Sequence, residues 1–190
     1  MARRPVDIAV NNFLQATGAV IGFFVGLQIW ILIVQDKGPN EAFIWATVGV
    51  LLCTMIVLWQ AKTRPADAAL TWGEAMVGAA FSFGFMLLAY GVWPHQWLVY
   101  ADSELSWRSD RFVAGPDMGL PNGEGIVEFV LPFELPYLVV RDIIAVLIYG
   151  IGLVGLIALW SIWQKRGAVA EVAVEKSTFG RPLVREGAKL

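Results

Sequence analysis

His95 is the only histidine of the 190-residue chain and stands in the run Trp93-Pro94-His95-Gln96-Trp97. An imidazole placed there has three chemical uses: a hydrogen bond to a quinone carbonyl, ligation of one chlorophyll-like pigment, or a proton step near a surface. A plain structural histidine, hydrogen-bonded at an interface, is the simpler expectation. One imidazole cannot supply both axial ligands of a bis-histidine haem. With Cys53 as the only cysteine, this chain alone has no set of His or Cys ligands for zinc or an iron–sulfur cluster. No metal site and no catalytic residue is therefore assigned.

Arg141 and Asp142 are the other charged residues beside a strongly apolar run. Both can reach the headgroups, so interfacial solvation is the simpler expectation; sequence neighbours on a helix do not face each other, which leaves either free to pair with another loop or subunit. Together with His95 and Trp97 they form the candidate contact point for a lipid, quinone or pigment, with no cofactor held by this chain alone. Glu74 lies at the start of another apolar run, where its carboxylate can reach the headgroups. The acidic residues Asp102, Glu104, Asp110 and Asp117 lack the loop spacing of a calcium motif and read as a solvated acidic surface. There is no phosphate-cradling loop, no nucleophile elbow and no basic patch for nucleic acid.

Small residues form the clearest geometric pattern. Gly18, Gly22 and Gly26 recur every four residues and share one helical face, which lets two backbones approach closely. Gly78 with Ser82 is a shorter version, as are Ala80 with Gly84 and the group Gly150, Gly152 and Gly155. Spacing specifies closeness but not the partner, so packing inside this chain and packing on another subunit stand level.

The elements that must position these residues are membrane spans. The chain is 57% apolar with only 16% charged residues, against roughly a quarter charged in soluble domains. Four uncharged or nearly uncharged stretches, at about residues 13–34, 42–60, 72–93 and 143–163, each reach the roughly 20 residues that cross about 30 Å of hydrocarbon. None has the polar stripe of a soluble helix. The first is longer than a signal-peptide core and ends in Gln35-Asp36-Lys37 without a cleavage pattern, so it is read as retained. The expected fold is an all-α integral membrane protein of four transmembrane helices.

Basic residues set the expected orientation. Arg3 and Arg4, then Lys62 and Arg64, then Lys165 and Arg166 flank one side, while the segment after the third span is predominantly acidic. By the positive-inside rule both ends lie in the cytoplasm. Residues 1–12 are then a cytoplasmic start, 13–163 the membrane domain, 94–138 an extracytoplasmic loop of about 45 residues, and 164–190 a cytoplasmic tail. Tryptophans at the expected span ends fit two interfacial belts: Trp30, Trp45 and Trp93 outside, Trp59, Trp72, Trp160 and Trp163 inside. Within the loop, residues 94–101 suit a helix lying on the outer leaflet, 115–125 are rich in turn formers, and 126–131 suit a short extended segment. The stretch from His95 to Arg111, with Trp97, Asp102 and Trp107, reads as an outer-surface docking element.

Three functions fit this pattern. The leading one is a non-catalytic accessory subunit of a bacterial respiratory or photosynthetic electron-transfer complex in the plasma membrane, with the bilayer and other integral membrane subunits as partners. An oligomeric transporter or channel needs a polar path, for which Gln28, Thr47, Cys53, Thr54 and Ser82 are a thin supply. A quinol- or lipid-linked enzyme would need His95, Glu104 and Arg141 to meet at the outer interface.

Overall fold

A computed structural model describes residues 4–114 and 133–167 of the chain. Its helices are α1 (Pro5–Gln35), α2 (Glu41–Thr63), α3 (Trp72–Met86), α4 (Trp93–Ser103) and α5 (Tyr137–Gln164). A π-helical segment, Leu87–Val92, joins α3 to α4, and a 3₁₀ turn, Lys165–Gly167, closes α5. The described residues are thus helical apart from one small strand pair. Four helices are long and apolar enough to cross a membrane: α1, α2, the continuous run Trp72–Ser103, and α5.

Two spans begin earlier than hydropathy alone places them. α1 starts at Pro5 and not near residue 13, with Pro in the first turn, where its missing N–H costs nothing. Val6 and Val10 are buried against Leu159 and Ile162, so packing extends the helix past its apolar centre. Its 31 residues give a length of about 46 Å, well beyond a hydrocarbon core of about 30 Å. α5 likewise starts at Tyr137, six residues before the expected 143.

The third span does not stop at Trp93. The Trp93 N–H donates to the Leu88 carbonyl, five residues back, and Pro94 falls in the first turn of α4 where no N–H is needed. The wider π turn therefore absorbs the proline and the helix continues to Ser103. Ala89 loses its usual donor to Leu88, and Pro94 has none to offer. Its carbonyl oxygen faces α5, where a Cβ on Gly152 would lie 3.7 Å away.

This continuation changes the role of residues 94–107. They are helical up to Ser103, as anticipated, but their aromatic face is packed against α2 and α5 and does not lie on the leaflet. Trp97 is 0% exposed and Trp107 1% exposed. Trp93, assigned above to an interfacial belt, is also buried, whereas Trp30, Trp45, Trp59, Trp72 and Trp160 are exposed. The core at this end is a chain of rings: Phe24 and Trp93 centroids lie 5.6 Å apart, Phe43 and Trp97 5.8 Å, Trp97 and Trp107 5.7 Å, and Trp107 and Tyr137 5.3 Å. Tilted and edge-on arrangements of this kind set the ring edge of one against the π face of the next.

Beyond α4 the chain is pinned before it departs and as it returns. Phe112–Ala114 pairs antiparallel with Leu135–Pro136, and the Tyr137 N–H donates to the Arg111 carbonyl at 2.9 Å. The expected turn-rich stretch 115–125 and extended segment 126–131 lie outside the described residues.

Candidate functional site

His95, Leu98, Val99 and Asp102 recur at helical spacing along one face of α4. With Arg141 from the second turn of α5 they line a shallow open depression of about 250 Å³. Arg141 is its organising residue. Its Nη1 lies 3.7 Å from Asp102 Oδ1, and its Nε donates to Asp142 Oδ1 at 2.9 Å. The neighbours Arg141 and Asp142, expected to diverge, pair because the long guanidinium stem folds back over a single residue. Within the lining, the Asp102 carboxylate answers the Arg141 guanidinium, while Asp142 holds that guanidinium from beside the depression. Both carboxylates are exposed, so each contact contributes less than about 1 kcal/mol.

Trp97 lies beneath this surface and not on it. Its indole N–H donates to the Arg141 carbonyl oxygen at 3.0 Å, fixing the start of α5 against α4. The depression therefore contains two of the four sequence candidates, His95 and Arg141, and gains Asp102, which sequence reasoning left as surface charge. A hint was available: Asp102 falls seven residues after His95, two helical turns along the same face. Glu104, grouped with His95 and Arg141 in the enzyme reading, accepts a hydrogen bond from the Asn40 side chain. It belongs to a set of ties from α4 to the α1–α2 connection, which includes Tyr100 Oη donating to the Gly38 carbonyl at 2.9 Å.

Chemically, the depression offers one imidazole, one neutralised guanidinium and one carboxylate beside the apolar Leu98 and Val99. No nucleophile paired with a base lines it. Among the described residues, no three His, Cys, Asp or Glu side chains are placed to hold a metal ion.

The polar residues inside the spans are spent locally. Thr47 and Thr54 donate to the Phe43 and Val50 carbonyls one turn back, and Thr47 also accepts the Trp93 indole N–H at 2.9 Å. Ser82 is exposed and donates to the Gly78 carbonyl. Gln28 differs: both polar atoms of its amide are buried without a hydrogen-bond partner. Glu74 closes a capping box with Thr71 at the start of α3 and pairs with Arg64 across the α2–α3 connection at 3.2 Å.

No protein-family model, curated protein or solved structure matches this chain.

The glycine faces point outward. A Cβ built on Gly18, Gly22, Gly26 or Gly78 would meet nothing within 4 Å, and all four residues are exposed. Close packing inside the bundle falls on Gly49, which no repeat announces, and on Gly152, the middle member of the Gly150, Gly152 and Gly155 group. A Cβ on Gly49 would lie 3.1 Å from Leu88 Cδ2, and one on Gly152 3.6 Å from Tyr90 Cε1. Gly49 sits alone between Val48 and Val50, so spacing gave no sign of it.

Proposed function

We propose that this chain is a non-catalytic subunit of a larger membrane assembly, joined to neighbouring membrane helices through the Gly18, Gly22 and Gly26 face of α1 and the Gly78 and Ser82 face of α3. The observation that carries this reading is the open space in front of those glycines. Glycine is disfavoured inside helices by about 1 kcal/mol each relative to alanine, and close backbone approach is what repays it in membranes. Among the described residues nothing supplies such an approach at these positions. The interior is filled with aromatic rings and its threonine hydroxyls bond their own helices, so a water-lined transport path has little to build on.

An electron-transfer complex of a bacterial plasma membrane is the class of assembly proposed, by analogy with the small multi-span subunits common in such complexes. Both termini lie in the cytoplasm in this reading, on the strength of the Lys and Arg distribution. His95 and Arg141 are then where a lipid, quinone or pigment of the assembly meets this subunit. The test is gentle solubilisation of the tagged chain from native membranes, with mass spectrometry and an absorption spectrum of what co-purifies. Stoichiometric membrane partners with haem or pigment bands are expected; a lone colourless protein refutes the proposal.

A further inference from the structure

The end of the bundle where α1 begins and α5 finishes carries a charge that no described residue pairs with. Arg166 lies in the 3₁₀ turn after α5, and its guanidinium carbon stands 3.9 Å from the centroid of the Trp163 ring. Trp163 is itself packed against the cluster that includes Val6, Val10 and Ile162, so the ring is an anchored platform. Stacking of this kind occupies the face of a guanidinium and leaves its planar edge of N–H groups to donate. At that edge Nη1 is buried and has no hydrogen-bond partner among the described residues. A cationic donor withdrawn from water without an acceptor is unfavourable, and an anion relieves it.

Among the described acidic residues at this end, Asp7 and Glu74 are engaged by other cations, and Asp67 is exposed in the α2–α3 connection. Asp7 takes two hydrogen bonds from Arg4, and Glu74 is shared between Arg64 and Thr71. Lys165 adjoins Arg166, and Lys62 follows Ala61, which packs in the same cluster as Ile162; both lysines are exposed. On α5, Trp160 and Ile157 are exposed apolar residues three and six positions before Trp163, towards the middle of the span.

We propose that this end of the bundle binds an anionic phospholipid. A phosphodiester oxygen takes the N–H edge of Arg166 above Trp163, Lys165 and Lys62 supply further positive charge, and an acyl chain runs along Trp160 and Ile157. A planar guanidinium edge matches phosphate oxygens in pairs, which an ammonium cannot do. The apolar strip beside the cations selects a lipid over a free phosphate ion. The site lies at the opposite end of the bundle from the His95 depression and does not depend on membership of an assembly.

The full chain, purified in neutral detergent, is offered equimolar phosphatidylglycerol and phosphatidylcholine of matched acyl chains, and retained lipid is read by native mass spectrometry. Phosphatidylglycerol is expected to be retained over phosphatidylcholine by about tenfold, the scale of one to two well-placed cations at a membrane surface. Arg166→Gln removes the preference, Arg166→Lys keeps part of it, and Arg108→Gln, at the other end of the bundle, leaves it intact. Circular dichroism establishes that each variant is helical; should Arg166→Gln not fold, Arg166→Lys with Trp163→Leu must still lower the preference. Equal retention of the two lipids by the unaltered chain, or a preference unchanged in the Arg166 variants, overturns the proposal. Inorganic phosphate at millimolar concentration is expected not to displace phosphatidylglycerol; displacement would make the ligand a free anion and overturn the lipid assignment.

Discussion

Trp107 donates its indole N–H to the side-chain oxygen of Gln35 at 3.0 Å, across 72 positions of sequence. The bond ties the last turn of α1 to the segment that follows α4, while the indole body stacks between Trp97 and Tyr137. Trp107→Ala removes a fully buried ring and is expected to cost about 3 kcal/mol. Trp107→Phe keeps much of the stacking but strands the Gln35 oxygen, and should cost less. Thermal or denaturant unfolding in a fixed detergent ranks the two; an unchanged midpoint for Trp107→Ala would contradict its place in the core.

The outward glycines and the inward one should respond oppositely to the same change. Gly22→Leu places its side chain in open space and is expected to shift stability of the isolated chain by no more than about 0.5 kcal/mol. In native membranes it should abolish co-purification of neighbouring subunits. Gly49→Leu drives a side chain into Leu88 and is expected to destabilise the isolated chain by about 1–3 kcal/mol. Equal stability loss in both variants would place the α1 glycines inside a bundle interface.

Gln28 carries a buried amide with no partner, which in an apolar setting costs about 1–3 kcal/mol. Replacing it by Leu, close in volume, is expected to stabilise the isolated chain by a comparable amount. The measurement is the unfolding midpoint in one detergent. A fall in stability would mean that the amide is satisfied in solution, for instance by an internal water.

Thr47 and Trp93 share a side-chain hydrogen bond between α2 and the third span. Bonds of this type inside membranes are worth about 0.6 kcal/mol on average. A double-mutant cycle with Thr47→Val and Trp93→Phe should return a coupling of that order, because the two side chains are in direct contact. Strict additivity would mean that the bond is not formed.

How much of this was legible in the residues follows from what a bilayer demands. Span length and apolarity are local requirements, so four stretches of low charge announced four membrane helices without any knowledge of their neighbours. The glycine repeat and the presence of lone charged residues near span ends were likewise visible as types and spacings, whereas the pairing of Arg141 with Asp142 and of Arg64 with Glu74 was not. Which way each faced was not. Lipid tails and a protein interior are equally apolar, so the periodicity that separates core from water in a soluble helix does not separate core from lipid here.

Tertiary contacts alone decided the rest. Pro94 read as the end of a span, yet a single π turn carried the helix past it, because Trp93 could donate to Leu88 in place of Ala89. Trp97 and Trp107 read as surface aromatics, yet that continuation turned them into the core, with indole N–H groups matched to Arg141 and Gln35. Asp102 joined Arg141 for the same reason. Residue type determined that these groups needed partners; only the path of the backbone after Leu87 determined which partners they met, since that one change of helical winding sets the direction of every side chain beyond it.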